Sequence, residues 1–272
     1  MKQVNKEIDL IIIKNCSLAL LLLITFFNHS SAELLSHKAT YSLIITNIKD
    51  GSFLEGGQGQ TYFEISKGCD GWNVKEDYML IYSLPNKKTS NSFSTYSTYE
   101  NFLGTMHSFE LNDDSQFNGK NAYEGFVEKN KNSIEGYLIK DNLKALSFDS
   151  DLLFPIEHLR KIIQKAKAGE IFFTQKVFFG NEETEFIKTV STFIGKKKKS
   201  TSNSFSFLAN KEVWPMKIAF YGENTRKGNP DYEIKLDLDE KGIAHYYEVD
   251  YGDFEIKANL KNFEISKDQK CS

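Results

Sequence analysis

Tyr41-Ser42-Leu43-Ile44-Ile45-Thr46, together with Phe254-Glu255-Ile256-Lys257-Ala258-Asn259-Leu260-Lys261 near the other end, decides the fold class. Tyr41, Leu43 and Ile45 alternate with Thr40, Ser42 and Thr46. Phe254, Ile256, Ala258 and Leu260 alternate with Glu255, Lys257, Asn259 and Lys261. A period of two puts one row of side chains on a core and the other in water, as a half-buried strand requires. The same reading predicts strands over 58–66, 72–83, 91–99, 106–112, 122–129, 133–139, 143–148, 171–179, 184–194, 204–209, 213–221, 231–238 and 243–250. Turn chemistry separates them at Lys49-Asp50-Gly51, Asn112-Asp113-Asp114, Asn118-Gly119, Lys227-Gly228-Asn229-Pro230 and Glu240-Lys241-Gly242. So many strands joined by short polar turns predict a mainly-β chain, a meandering antiparallel barrel or sandwich.

One segment breaks the period. After Phe154-Pro155, Ile156, Leu159, Ile163 and Ala166 recur at spacings of three and four, with Glu157, Arg160, Lys161, Lys165 and Lys167 between them and Gly169 beyond. Proline suits a first helical turn, bases suit the last, and glycine suits the position past it. This predicts one amphipathic helix of about 13 residues that lies on a sheet or plugs the end of a barrel. His158 is expected on its surface, beside Glu157.

The first 32 residues read as an export signal. A head with Lys2, Lys6 and Lys14 precedes the apolar run from Leu18 to Phe27, and Ser30-Ser31-Ala32 places small residues where a signal peptidase cuts. Cleavage is expected after Ala32, leaving residues 33–272 as a single domain in the periplasm. Cys16 precedes the apolar core and leaves with the signal. Cys69 and Cys271 are then the only cysteines, and in an oxidising compartment two lone cysteines are expected to pair.

Three lysines leave with Glu7 and Asp9, so the formal charge moves from −3 to −4. A mildly acidic chain has no electrostatic footprint for nucleic acid, and no later apolar run approaches a membrane span. Lys196-Lys197-Lys198-Lys199, followed by Ser200-Thr201-Ser202-Asn203-Ser204, reads as a solvated hairpin tip.

Catalytic signatures are weak. His37, His107, His158 and His245 stand in no metal-ligand spacing, so no metal and no cofactor is expected. The chain lacks a G-x-S-x-G elbow. Gly56-Gly57-Gln58-Gly59 precedes a strand rather than a helix, so it reads as a permissive turn or bulge, not a phosphate loop. Glu182-Glu183 and Asp113-Asp114 are expected to be solvated. A hydrolase of envelope polymers would need a cleft that gathers His245, Asp250 or Asp253 with a nucleophile. Aromatic residues make up 14% of the chain. In a β protein they fill the core, or they line an apolar cavity in a barrel too wide for its own side chains to fill.

Several segments in order resemble one family. They are His37-Lys38-Ala39-Thr40-Tyr41-Ser42-Leu43, Gly59-Gln60-Thr61-Tyr62-Phe63-Glu64 running to Cys69, Phe154-Pro155 with His158-Leu159 and Ala168-Gly169-Glu170, Trp214-Pro215 with Ile218-Ala219-Phe220-Tyr221, and Asp250-Tyr251-Gly252-Asp253-Phe254. The chain is similar to the alphaproteobacterial envelope integrity protein B family of periplasmic proteins. The resemblance implies an antiparallel β-spiral, an incompletely closed barrel of about 14 strands with one helix, in the style of the LolA and LolB lipoprotein carriers. It also implies an internal disulfide matching Cys69 and Cys271, a role in cell-envelope integrity and no enzymatic activity; the partner expected is an envelope component, whether periplasmic protein, lipid or peptidoglycan. Were the interior a carrier cavity for acyl chains, its lining in the matching segments would include Phe63, Trp72, Tyr82, Phe220 and Tyr247.

Overall fold

The structure, a computed structural model, describes residues 33–271 apart from 118, 182–184, 202–204 and 224–227. The expected export signal and its cleavage point at Ala32 lie outside the described residues, as does Glu182-Glu183.

Eight strands run first: β1 (His37–Thr46), β2 (Gly56–Lys67), β3 (Gly71–Leu84), β4 (Lys88–Asn101), β5 (Met106–Ser115), β6 (Gly119–Lys129), β7 (Ser133–Ile139) and β8 (Leu143–Asp149). The helix α1 (Pro155–Lys167) follows. The chain ends with β9 (Phe172–Phe178), β10 (Ile187–Ile194), the two-residue β11 (Lys198–Lys199), β12 (Glu212–Gly222), β13 (Tyr232–Asp239), β14 (Ala244–Asp250) and β15 (Glu255–Ile265). One antiparallel sheet takes the order β8-β7-β6-β5-β4-β3-β2-β1-β15-β14-β13-β12-β10-β9, with β11 added beside β12. The first and last strands pair in the middle, from His37 opposite Ile265 to Thr46 opposite Glu255. The free edges are therefore β8 and β9, the two strands that flank the helix in sequence, and the sheet does not close.

The seam between those edges is covered rather than paired. Leu153, between β8 and α1, makes a parallel bridge to Val177 of β9. Its N–H donates to the Lys176 carbonyl at 3.1 Å, and its carbonyl accepts from the Phe178 N–H at 2.9 Å. These two bonds satisfy backbone groups that an open edge would otherwise offer to another chain. The helix lies over this end, burying Ile156, His158, Ile162, Ile163 and Ala166. All but His158 join a core that contains Leu34, Trp72, Val190, Trp214 and Met216. Gly169 ends the helix at φ +76°, its N–H bonded to the Ala166 carbonyl and that of Glu170 to the Lys165 carbonyl.

Four local expectations are corrected. Of the strand expected over 204–209, the described residues 205–209 form instead a turn held by the N–H groups of Leu208 and Ala209 on the Phe205 carbonyl, anchored by the fully buried Leu208. The lysine run is not merely solvated. Lys198–Lys199 pair with Val213 and Glu212, and ion pairs link Lys197 to Glu212 and Lys198 to Asp237. Gly56–Gly59 begins β2 instead of forming a turn; at Gly57 a Cβ would stand 2.6 Å from Ile45 Cδ1, so glycine is there for close approach. His158 is buried, because the helix packs it toward Phe173 of β9 at 6.2 Å.

Candidate functional site in the spiral interior

Strand register identifies the inner face. Tyr41 stands opposite Thr61, and Thr61 opposite Tyr78; Ala39 stands opposite Phe63, Phe63 opposite Glu76, and Glu76 opposite Tyr96. Because side chains alternate in two, these residues share one face of β1–β4. On the far wall, Tyr247 of β14 meets Tyr41 edge-to-face at 5.1 Å.

At the helix end this face is filled. Trp72 and Phe220 are buried in the core beneath α1, Trp72 against Phe102 and Phe220 stacked on Tyr232 at 4.5 Å. Phe63 packs against the same cluster, whereas Tyr82 and Tyr247 pack against a second one built on Tyr41, Leu43 and Ile45. All five expected lining residues thus lie on the inner face, but Phe63, Trp72 and Phe220 pack with the plug and only Tyr82 and Tyr247 with the second cluster.

Farther from the helix the inner face is less tightly packed, its large side chains half-buried instead of buried. Glu76, Tyr78, Tyr96 and Tyr247 are enclosed by protein yet keep accessible surface, as side chains around an internal space do. The Thr61 hydroxyl donates to Glu76 Oε1 at 3.2 Å. Burial raises the Glu76 pKa, and Asp77 adds to the rise. The Glu76 carboxyl in turn helps burial oppose ionisation of Tyr41, Tyr78, Tyr96, Tyr247 and Tyr251. Asp113, expected in a solvated turn, sits within β5 opposite Ser94, on the same inner wall as Tyr96. At the end away from α1, Phe53 and Phe117 are exposed; Phe117 lies 5.9 Å from Phe53 and 5.3 Å from Tyr82.

The helix end carries its own buried acid. Glu100 accepts the backbone N–H groups of Ile156 and Glu157, both at 2.8 Å, and so caps α1, whose own N-cap residue Phe154 has no acceptor side chain. Burial pushes its pKa up to about 7, outweighing those two bonds and the nearby Lys129. Neither this cap nor Glu76 was singled out by sequence reasoning. Each belongs to an alternating strand pattern, and neither has a local motif.

His245 is not gathered with Asp250 or Asp253. Asp250 is five residues along an extended strand, about 16 Å away, and Asp253 is exposed in the following turn. His245 instead bonds through Nδ1 to Ser200 Oγ at 2.8 Å and through Nε2 to Asp239 Oδ2 at 3.2 Å. The nitrogens are used in the reverse of the order in a Ser-His-Asp hydrolase. Asp239 Oδ1 accepts from the N–H groups of Lys241 and Ile243 and closes the β13–β14 turn. The chain of bonds therefore ties the segment after β11 to that turn. Among the described residues no group of three or more potential ligands stands where it would hold a metal ion, and no helix is long and apolar enough to cross a membrane.

Cys69, in the β2–β3 turn, is bonded to Cys271, with the Cα atoms 5.5 Å apart. The Gln269 N–H donates to the Lys67 carbonyl at 3.0 Å, so the tail lies along the end of β2 before the bridge closes.

Comparison with known proteins agrees with this architecture. A solved structure from Brucella abortus, described as a beta-barrel-like protein of a domain of unknown function, superposes with a TM-score of 0.80 at 21% identity, covering 86% of this chain and 99% of that one. The cell envelope integrity protein EipB of Brucella abortus is 22% identical over 243 residues, 87% of this chain and 86% of its own length. The A-factor-processing enzyme of Saccharomyces cerevisiae is 25% identical over 225 residues, but the matched stretch is only 20% of that protein. The sequence matches the EipB-like family over residues 28–267, and with nearly the whole described chain inside that match, the chain belongs to the EipB-like family.

Proposed function

We propose that this is a non-catalytic periplasmic protein that supports cell-envelope integrity and acts by holding an amphipathic envelope component in its interior. The family membership and the full-length similarity to a cell envelope integrity protein support the envelope role. The observation that carries the interior-binding part is the contrast between the two ends of the inner face. Under α1 it is packed, and around Glu76, Tyr78 and Tyr96 side chains that are enclosed still keep accessible surface. A barrel-like sheet with one plugged end and one open, aromatic-rimmed end is built to shelter apolar groups from water.

Location is tested by fractionation and N-terminal sequencing, with Glu33 expected as the first residue of periplasmic material. Binding is tested by native mass spectrometry of protein purified from its own cells. Co-purifying lipid is expected, and its loss is expected after a paired substitution of Tyr82 and Tyr247 to alanine. Protein that emerges free of lipid and takes none up would leave a scaffolding role in the envelope without the carrier function.

A further inference from the structure

The interior acid is unusual in its company. Glu76 sits in the middle of β3, and its described hydrogen-bond partner is the Thr61 hydroxyl; no lysine or arginine among the described residues forms an ion pair with it. Inward-facing lysines lie elsewhere and are engaged. Lys129 pairs with Glu157 at the helix end, and Lys188 pairs with Glu185 and Asp231. A buried carboxyl without a cation is costly when charged, and proteins normally pair such a group. Around it stand the tyrosines of β1, β3, β4 and β14, whose ring faces are negative in quadrupole.

The rest of this wall is polar as well. Toward the rim, about 20 Å along β4 from Tyr96, Ser90 stands opposite Tyr82, 4% exposed. Asp113 stands two strands from Glu76 on the same wall and helps burial raise the Tyr82 pKa. The wall formed by β3–β5 is therefore acidic and rich in hydroxyls, whereas beyond Tyr41 and Tyr247 the strands β1, β14 and β15 present apolar residues, with Leu43, Val249 and Ile256 buried. An anionic head, such as a fatty-acid carboxylate, would meet two acids there and no cation to pair with. An ammonium head would favour the ionised form of Glu76, gaining an ion pair with it and cation–π contact with the tyrosine faces.

Resting on the interior-binding reading above, we propose that the chamber is selective for amphiphiles with a cationic ammonium head, the head seated at Glu76 among Tyr78, Tyr96 and Tyr247 and the tail directed along the apolar wall toward the Phe53–Phe117 rim. The ligand chemistry is that of an aminoalkyl lipid or another long-chain amine.

The test compares decylammonium with decanoate, two probes of equal chain length, by isothermal titration at pH 7.5 on the full mature chain. Decylammonium is expected to bind at least tenfold more tightly. Glu76→Gln, which keeps shape and relieves a buried charge, should remove that preference, and Glu124→Gln, on the outer face of β6, should leave it intact. Equal affinity for the two probes, or a preference that survives Glu76→Gln, would overturn the head-group assignment while leaving the chamber as a general apolar carrier. An equal loss in Glu124→Gln would show attraction to surface acid and overturn it too. Binding of neither probe would remove the interior-binding reading along with it.

Discussion

The Glu100 carboxylate accepts the backbone N–H of Ile156 at 2.8 Å across 56 residues of sequence, so the end of β4 supplies the cap that the helix lacks locally. The same carboxylate takes the Glu157 N–H, and the pair fixes where α1 enters the core. The plug of the spiral is thereby set by the fourth strand, not by the residues before the helix.

Glu100→Gln tests that cap. The amide keeps one acceptor but leaves one of the two N–H groups unpaired, a loss of about 1–3 kcal/mol. The folded pKa of about 7 lies above the ordinary carboxyl value of 4.5. This group's contribution is therefore fully present below the lower value and is lost as pH rises through the higher one, at most ~3 kcal/mol across the window. Urea unfolding should show a deficit for the variant at pH 5 that shrinks toward pH 8; a deficit that grows with pH would contradict the assignment.

His107 carries the opposite sign. It is fully buried between Phe154 at 5.2 Å and Phe109 at 6.0 Å, and burial holds its pKa down at about 3, against 6.5 for the free group. Below pH 6.5 the unfolded chain takes up a proton that the folded chain refuses. Stability tied to this residue is therefore constant above that pH and falls below it by ~1.4 kcal/mol per unit. His107→Phe keeps a ring in the stack. Relative to its value at pH 7.5, its stability at pH 5 should exceed that of the native chain by about 2 kcal/mol. Parallel pH profiles for the two proteins would refute this.

The disulfide closes a loop of 202 residues. The chain-entropy relation puts such a link at ~5 kcal/mol as an upper bound. Cys69→Ser and Cys271→Ser should lower the thermal midpoint equally under oxidising conditions, and the double variant should lose no more than either single. Additive losses would mean that the two residues act separately.

Gly59 tests the close approach of β2 to β3. A Cβ there would lie 2.0 Å from the Met79 carbonyl oxygen and 3.0 Å from the Leu80 Cα, both backbone atoms that cannot step aside. Gly59→Ala should cost about 1–3 kcal/mol through displaced strand pairing. A Gly228→Ala control, at φ +70° in a turn with nothing within 4 Å, should lose only about 1 kcal/mol. Equal midpoints for the two variants in chemical denaturation would show that β2 and β3 part easily.

The local patterns were readable because they depend on near neighbours. Alternation from Tyr41 to Thr46 marks β1, and Pro155, the apolar spacing and Gly169 mark α1, since strand faces, helix stripes and caps are set within a few residues. Cys69 and Cys271 were paired by elimination, a counting argument that needs no coordinates. Alternation fails where burial has another cause. Phe205 to Leu208 look like a strand but anchor a loop, and Asp113 looks like a turn but sits inside β5. The sequence by itself determined that this is an antiparallel β protein with one helix and one staple. Only the tertiary structure decided that β1 pairs with β15, that Glu100 caps α1, and that Glu76 stands opposite Tyr96 on the inner face, because those partners lie 20 to more than 200 residues apart and no local period encodes which strand will lie beside which.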